Sequence, residues 1–222
     1  MLRIQVTDDK YIEEKEKYIL AKGGDGTLLH AINKFRYLNK PFFGEASGTV
    51  NFLMNRESKP TADYIKKTFH LIMVTIKYKK DGVDKSIQCQ AFNDVMIGGN
   101  MNSWIEFEME DQDELFGKFM GGGMIFSTPQ GSTGINKNNH GVILPLDSNL
   151  WSITGDKTER KIEYVVAPRN ITLQVKSRTP VTVWVDGINH VIDNVQSIFV
   201  ESGDTVEVIF NDFKSFQRKR RI

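Results

Sequence analysis

The residues best suited by type and spacing to do chemistry are Gly23-Gly24-Asp25-Gly26-Thr27. Glycines lack a Cβ, so backbone N–H groups there can approach an anion closely, and a helix starting just after them adds its positive N-terminal end. Such a cradle suits phosphate, but Asp25 inside it does not, because two anions repel. A carboxylate at that place needs a metal, or a hydroxyl to hold and deprotonate. Thr27 is a suitable N-cap residue. The plain structural reading is a tight turn with an aspartate cap. The loop is not a Walker A motif, since no Gly-Lys-Ser/Thr follows, and Gly24 to Leu29 lacks the third glycine of the dinucleotide fingerprint.

A second segment, Ser127-Thr128-Pro129-Gln130-Gly131-Ser132-Thr133-Gly134, follows the apolar run Met124-Ile125-Phe126. Its hydroxyls, glycines and proline make a polar, constrained loop able to bond sugar, phosphate or carboxamide groups; a hydroxyl-rich turn capping a short helix is the plainer reading. A third is Asn93-Asp94, after Ala91-Phe92. Neighbours on a regular strand face opposite sides, so both reach one ligand only where the strand ends or bends.

The elements that must hold these loops alternate at first. Leu2 to Val6 reads as a strand, Asp8 to Lys17 as a charged surface helix, and Tyr18 to Ala21 as a buried strand leading into the glycine loop. Leu28, Leu29, Ala31, Ile32 and Phe35 then recur at helical spacing, and Pro41-Phe42-Phe43 opens another strand. This order predicts a small parallel-sheet α/β lobe over 1–68. From about Leu71 β-branched and aromatic residues alternate, as in Met73 to Tyr78, Trp104 to Met109, Ile171 to Val175, Val181 to Val185 and Val206 to Phe210, with turns such as Gly98-Gly99-Asn100. These predict a larger β-rich, β-sandwich-like lobe over 69–222, whose last segment, about 208–222, returns to the first lobe.

Composition excludes other classes. Of 222 residues 40% are apolar and 26% charged, with a net charge of +1, ordinary values for a folded domain with no bulk attraction to nucleic acid or membrane. No stretch approaches the roughly 20 apolar residues that cross a bilayer. Cys89 is the single cysteine, which rules out an internal disulfide and, with no leader-like opening, favours the cytoplasm. It reads as a buried small hydrophobe, and Met96, Met101, Met109, Met120 and Met124 as core filling. His30, His70, His140 and His190 show no metal spacing. Lys214, Arg218, Lys219, Arg220 and Arg221 read as a solvated last helix or frayed tail.

Taken together, Gly23 to Thr27, Asn93-Asp94 and Ser127 to Gly134 resemble the three ordered motifs of the NAD kinase family, with further matches at Gly44 to Leu53 (GEASGTVNFL) and Val185-Asp186-Gly187. The first motif is shared with diacylglycerol- and sphingosine-type lipid kinases; the loop at Ser127 selects the NAD kinase branch. The resemblance implies a kinase that moves a phosphoryl group from ATP or polyphosphate to the 2′-hydroxyl of the adenosine ribose of NAD, giving NADP. It implies Asp25 as catalytic base, and Gly23, Gly24, Gly26 and Thr27 around the donor phosphates. Phe52, Asn93, Asp94, Ser132, Thr133, Gly134, Asn138 and Asp186 would contact NAD. Mg²⁺ would be carried by the donor phosphates, with no protein ligands assigned, and the chain would form a homodimer or homotetramer. The alternative is a non-catalytic or altered-specificity dinucleotide-binding protein of the same fold. The sequence departs from the family pattern at Asp94, where glutamate is common, at Gln130, at Gly134-Ile135 in place of Ala-Tyr, and at Gly121-Gly122-Gly123 in place of Gly-Asp-Gly.

Overall fold

The computed structural model describes residues 2–7, 9–48, 51–99, 103–111 and 114–219. Asp8, Thr49, Val50, Asn100, Met101, Arg220 and Arg221, named above from the sequence, lie outside them. In chain order the elements are β1 (Arg3–Thr7), β2 (Lys10–Glu14), β3 (Ile19–Gly23), α1 (Asp25–Phe35), β4 (Phe42–Ala46), β5 (Ile65–Lys80), β6 (Val83–Ala91), β7 (Asp94–Gly98), β8 (Ile105–Asp111), β9 (Glu114–Gly121), β10 (Gly123–Ser127), α2 (Ile135–Asn138), β11 (Trp151–Asp156), β12 (Glu163–Val166), β13 (Ile171–Lys176), β14 (Val181–Val185), β15 (Ile188–Ile192), β16 (Val195–Phe210) and α3 (Phe213–Lys219). They form two compact units, Met1–Phe69 with Thr205–Ile222, and His70–Asp204.

The first unit is a sheet in the order β1-β2-β3-β4 and the end of β16. β3 and β4 run parallel, with Ile19 opposite Phe42 and Gly23 opposite Ala46, and β16 runs parallel to β4 at Val208 and Ile209. A parallel pair needs a crossover, which α1 supplies, burying Leu28, Ala31, Ile32 and Phe35. The sheet is mixed rather than wholly parallel, because β1 and β2 pair antiparallel to each other and β2 to β3. The helix expected over Asp8 to Lys17 is thus absent: Lys10–Glu14 is β2. Only Ile12 of that strand is fully buried, so its charged neighbours give the composition of a solvated helix, while pairing on both sides satisfies the backbone of a strand. At the other end, Phe213 and Phe216 of α3 pack against Phe210 with ring centroids 5.3 and 4.7 Å apart.

The second unit holds an antiparallel six-stranded sheet, β12-β11-β10-β7-β14-β15, and a second set of strands in which β13 lies between β8 and β16, β8 pairs β9, and β5 pairs β6. Alternation drives burial: on β14 Val181, Val183 and Val185 point inward and Thr182 and Trp184 do not. A shared core collects Val95, Ile97, Phe107, Phe126, Trp151, Leu173, Val183 and Ile198. Met109 and Met124 belong to it, whereas Met96 and Met120 are half-buried. The result is an α/β lobe and a β-rich lobe, as the sequence predicts.

Candidate active site

The glycine loop is fixed by what flanks it. Just before it, Lys22 Nζ meets Glu45 Oε1 at 2.8 Å, tying the end of β3 to β4; the hydrogen bond and charge of Glu45 raise the Lys22 pKa. A Cβ on Gly23 would overlap the Thr27 hydroxyl, so only glycine fits there. Gly24, not Thr27, is the N-cap of α1. Its carbonyl accepts the N–H groups of Thr27 at 2.9 Å and Leu28 at 3.2 Å, and Thr27 lies inside the first turn, 7% exposed.

Asp25 therefore opens α1, where the helix dipole favours a negative charge. Its Oδ2 accepts the Phe52 N–H at 2.8 Å and its Oδ1 the Leu53 N–H at 2.9 Å. These two bonds orient the carboxylate. They also bring half-buried Phe52 to the same helix start. The far end of this loop is anchored by Asn55, 1% exposed: its Nδ2 donates to the carbonyls of Gly44 and Ile209, and its Oδ1 accepts the Asn211 N–H at 2.9 Å.

The remaining site residues gather in the second unit, where β7 begins beside the end of β10, with Asp94 opposite Ser127. The chain bends at Phe92 and Asn93 and a second aspartate holds the bend. Asp186, in the β14–β15 turn with φ 51°, accepts the N–H groups of Phe92 at 2.8 Å, Asn93 at 2.7 Å and Asp94 at 3.3 Å. Burial first, and then the negative charge of Asp186, push the Asp94 carboxyl up to about 7. Asn93 Oδ1 is enclosed with no hydrogen-bond partner among the described residues. An acceptor left in that state costs about 1–3 kcal/mol unless a ligand or water donates to it.

The hydroxyl loop is stitched to this bend. Thr128 donates its N–H to the Asn93 carbonyl at 2.9 Å, and the Thr128 hydroxyl lies 2.8 Å from the carbonyl of Phe92. Gln130, one of the departures noted from sequence, donates Nε2 to the carbonyls of Phe92 at 2.6 Å and His70 at 3.2 Å. Ser132 is fully buried; its hydroxyl donates to the Pro129 carbonyl at 2.8 Å and accepts the Leu144 N–H at 3.0 Å. Ser132 and Asp186 thus spend side-chain hydrogen bonds on the loops themselves; Thr133 is half-buried, and Gly134 and Asn138 are exposed.

Asn51, Asn55 and Asn136 were not singled out by sequence. Asn136 is fully buried, bonding the Ser132 and Val142 carbonyls and accepting the Ser152 hydroxyl. A buried asparagine in a loop carries no periodic signal, though asparagines among apolar residues, as in Asn51-Phe52-Leu53-Met54-Asn55, are the available hint. Cys89 is half-buried rather than buried, with Sγ 3.6 Å from His190 Nε2. Among the described residues no three His, Cys, Asp or Glu side chains converge as a metal site, and no helix is long and apolar enough to cross a membrane.

No protein-family model matches the chain. It is 27% identical over 209 residues to an NAD kinase of Rickettsia bellii, covering 89% of this chain and 81% of that protein. It is 34% identical over 146 residues to an NAD kinase of Rickettsia africae, covering 64% of this chain. That match spans 57% of the Rickettsia africae protein, under two thirds of its length. Among solved structures, yeast NADH kinase complexed with NADH superposes with a TM-score of 0.75 at 21% identity, covering 90% of this chain and 63% of that one. An NAD kinase from Archaeoglobus fulgidus in complex with ATP gives 0.70 at 19% identity, covering 91% and 80%. The chain thus carries its motifs in the order of the NAD kinase family, on the fold those solved enzymes share, and is similar in sequence to curated NAD kinases.

Proposed function

We propose that this protein transfers the terminal phosphoryl group of ATP to the 2′-hydroxyl of the adenosine ribose of NAD, producing NADP. The observation that carries the proposal is Asp25 at the start of α1, its carboxylate aimed by the Phe52 and Leu53 amides. Held there, Asp25 accepts the proton of the ribose hydroxyl as that oxygen bonds to phosphorus and the bond to the departing ADP breaks. Phosphoryl transfer asks mainly for positioning and charge neutralisation, with the proton leaving late as charge develops on the ribose oxygen. The helix start at Asp25 and Gly26 offers backbone N–H groups to phosphate oxygens. Asn93 and Asp94 would hold polar groups of the dinucleotide, Asn93 through its unpartnered Oδ1. Phe52 would pack on the base.

Mg²⁺, implied by the resemblance, fits as a cation carried on donor phosphates, since an ion that keeps waters and phosphate oxygens needs no dedicated protein cage. When bound it neutralises charge on the transferred group. We also propose a homodimer or homotetramer in the cytoplasm. A self-associating surface is supported by the edge strand β15, where Ile188 and Val191 are 57% and 65% exposed; sedimentation analysis reads the stoichiometry. The deciding assay is NADP formation from NAD, ATP and Mg²⁺ by the wild type and by Asp25→Asn. NAD binding without turnover over several donors, polyphosphate included, would instead favour a non-catalytic dinucleotide-binding protein.

A further inference from the structure

We infer that Asn51 reads the sugar of the phosphoryl acceptor, its Oδ1 accepting a hydrogen bond from the hydroxyl next to the one that is esterified. The inference rests on the NAD kinase reading and assigns a specificity-determining residue to it.

Asn51 is 8% exposed. Its Nδ2 donates to the Gly48 carbonyl at 2.7 Å, and because that partner is an acceptor, the amide has one satisfactory orientation. Oδ1 is thereby pointed the other way, and it is enclosed with no hydrogen-bond partner among the described residues. What it faces is the helix start: a Cβ placed on Gly24, the N-cap of α1, would lie 3.6 Å from it. The peptide that follows Asn51 carries the Phe52 N–H bonded to Asp25 Oδ2. Two acceptors, the Asp25 carboxylate and the Asn51 carbonyl, thus belong to one short stretch of structure at the first turn of α1.

The chemistry of the missing partner follows. A carbonyl oxygen needs a donor, so a phosphate oxygen is the wrong group. A sugar hydroxyl donates, and it also accepts, so it can take an N–H of the helix start at the same time. A ribose with neighbouring 2′ and 3′ hydroxyls can give the first to Asp25 and the second to Asn51. A buried acceptor that only the correct sugar satisfies discriminates more sharply than a pocket wall, because the wrong sugar leaves it unpaired.

The test compares NAD with its analogue lacking the 3′-hydroxyl of the adenosine ribose, using wild type and Asn51→Ala. Turnover and calorimetric affinity are both measured, with thermal melting to confirm the fold. In the wild type the analogue should lose about three- to tenfold in kcat/KM and in affinity. In Asn51→Ala, NAD should fall to the level of the analogue and the two ligands become equivalent. Equal discrimination in both proteins overturns the inference, as does a wild type that treats the two ligands alike, a comparison that stands even if the variant does not fold. If the wild type binds NAD without phosphorylating it, the kinase reading fails and the affinity comparison still decides Asn51; if it binds neither ligand, both fall.

Discussion

Asp186 Oδ1 accepts the backbone N–H of Asn93 at 2.7 Å, and Asp25 Oδ2 accepts that of Phe52 at 2.8 Å. In each unit one aspartate, itself fixed by a helix start or a tight turn, holds consecutive amides of a loop bearing site residues. The two are built alike, Asp25 holding the amides of Phe52 and Leu53 and Asp186 those of Phe92, Asn93 and Asp94.

Asp25→Asn should lower NADP formation by about 10²- to 10⁴-fold, the range for loss of a general base. It should also lower stability by about 1–3 kcal/mol, because an amide cannot accept both the Phe52 and Leu53 N–H groups and leaves one unmet. Denaturant unfolding alongside the assay separates the effects. Activity equal to wild type rejects Asp25 as the base.

Asp94 gives a pH signature. Its pKa in the folded protein, about 7, lies above the ordinary 3.8, so between those values the native state binds a proton that the unfolded chain has released. Stability from this group is therefore full on the acid side and declines as pH rises through 7, by about 2–4 kcal/mol at most. Asp94→Asn should flatten that decline, raising the melting temperature at pH 8 and leaving it little changed at pH 4. An unaltered pH profile in the variant contradicts the burial and the Asp186 charge as its cause.

Asp186→Asn should act on the same carboxyl from a distance. Removing the neighbouring charge lowers the Asp94 pKa, while burial, the larger cause, keeps it above the ordinary value. Carboxyl-detected NMR titration reads the shift. The three amides of the bend lose a charged acceptor, so about 1–3 kcal/mol of stability should go with it. Asparagine tolerates the left-handed backbone at φ 51°, so turn strain is not the cause.

Gly131→Ala should damage the second loop cluster without touching any charge. A Cβ at Gly131 would overlap the Asn93 carbonyl oxygen, forcing apart the hydroxyl loop and the bend that Thr128 joins. A loss of about 1–3 kcal/mol is expected from such overpacking, together with weaker NAD binding. Calorimetry showing unchanged NAD affinity would place the bend outside the binding surface.

Much of this was legible beforehand. Helical spacing from Leu28 to Phe35, alternation from Val181 to Val185 and the glycines before Asp25 marked α1, β14 and the loop, because each is a local pattern with a direct physical cause. The strand Lys10–Glu14 was not, because its burial depends on neighbours on either side and its charges read as solvated. Nor could spacing reveal that the Ser132 hydroxyl is used up by Pro129 and Leu144, or that Gln130 reaches back to His70 and Phe92. Those assignments belong to contacts between distant segments, and Asn51 is visible only once the chain has folded around it.

Asn55 makes the loop beside Asp25 depend on residues translated far later: its Oδ1 waits for the amide of Asn211, 156 positions downstream. During synthesis the opening lobe therefore leaves the ribosome with an unfilled place in its sheet, and the whole β-rich lobe is made before the closing strand arrives. A nascent protein halted short of that strand would carry the glycine loop but not the brace behind it.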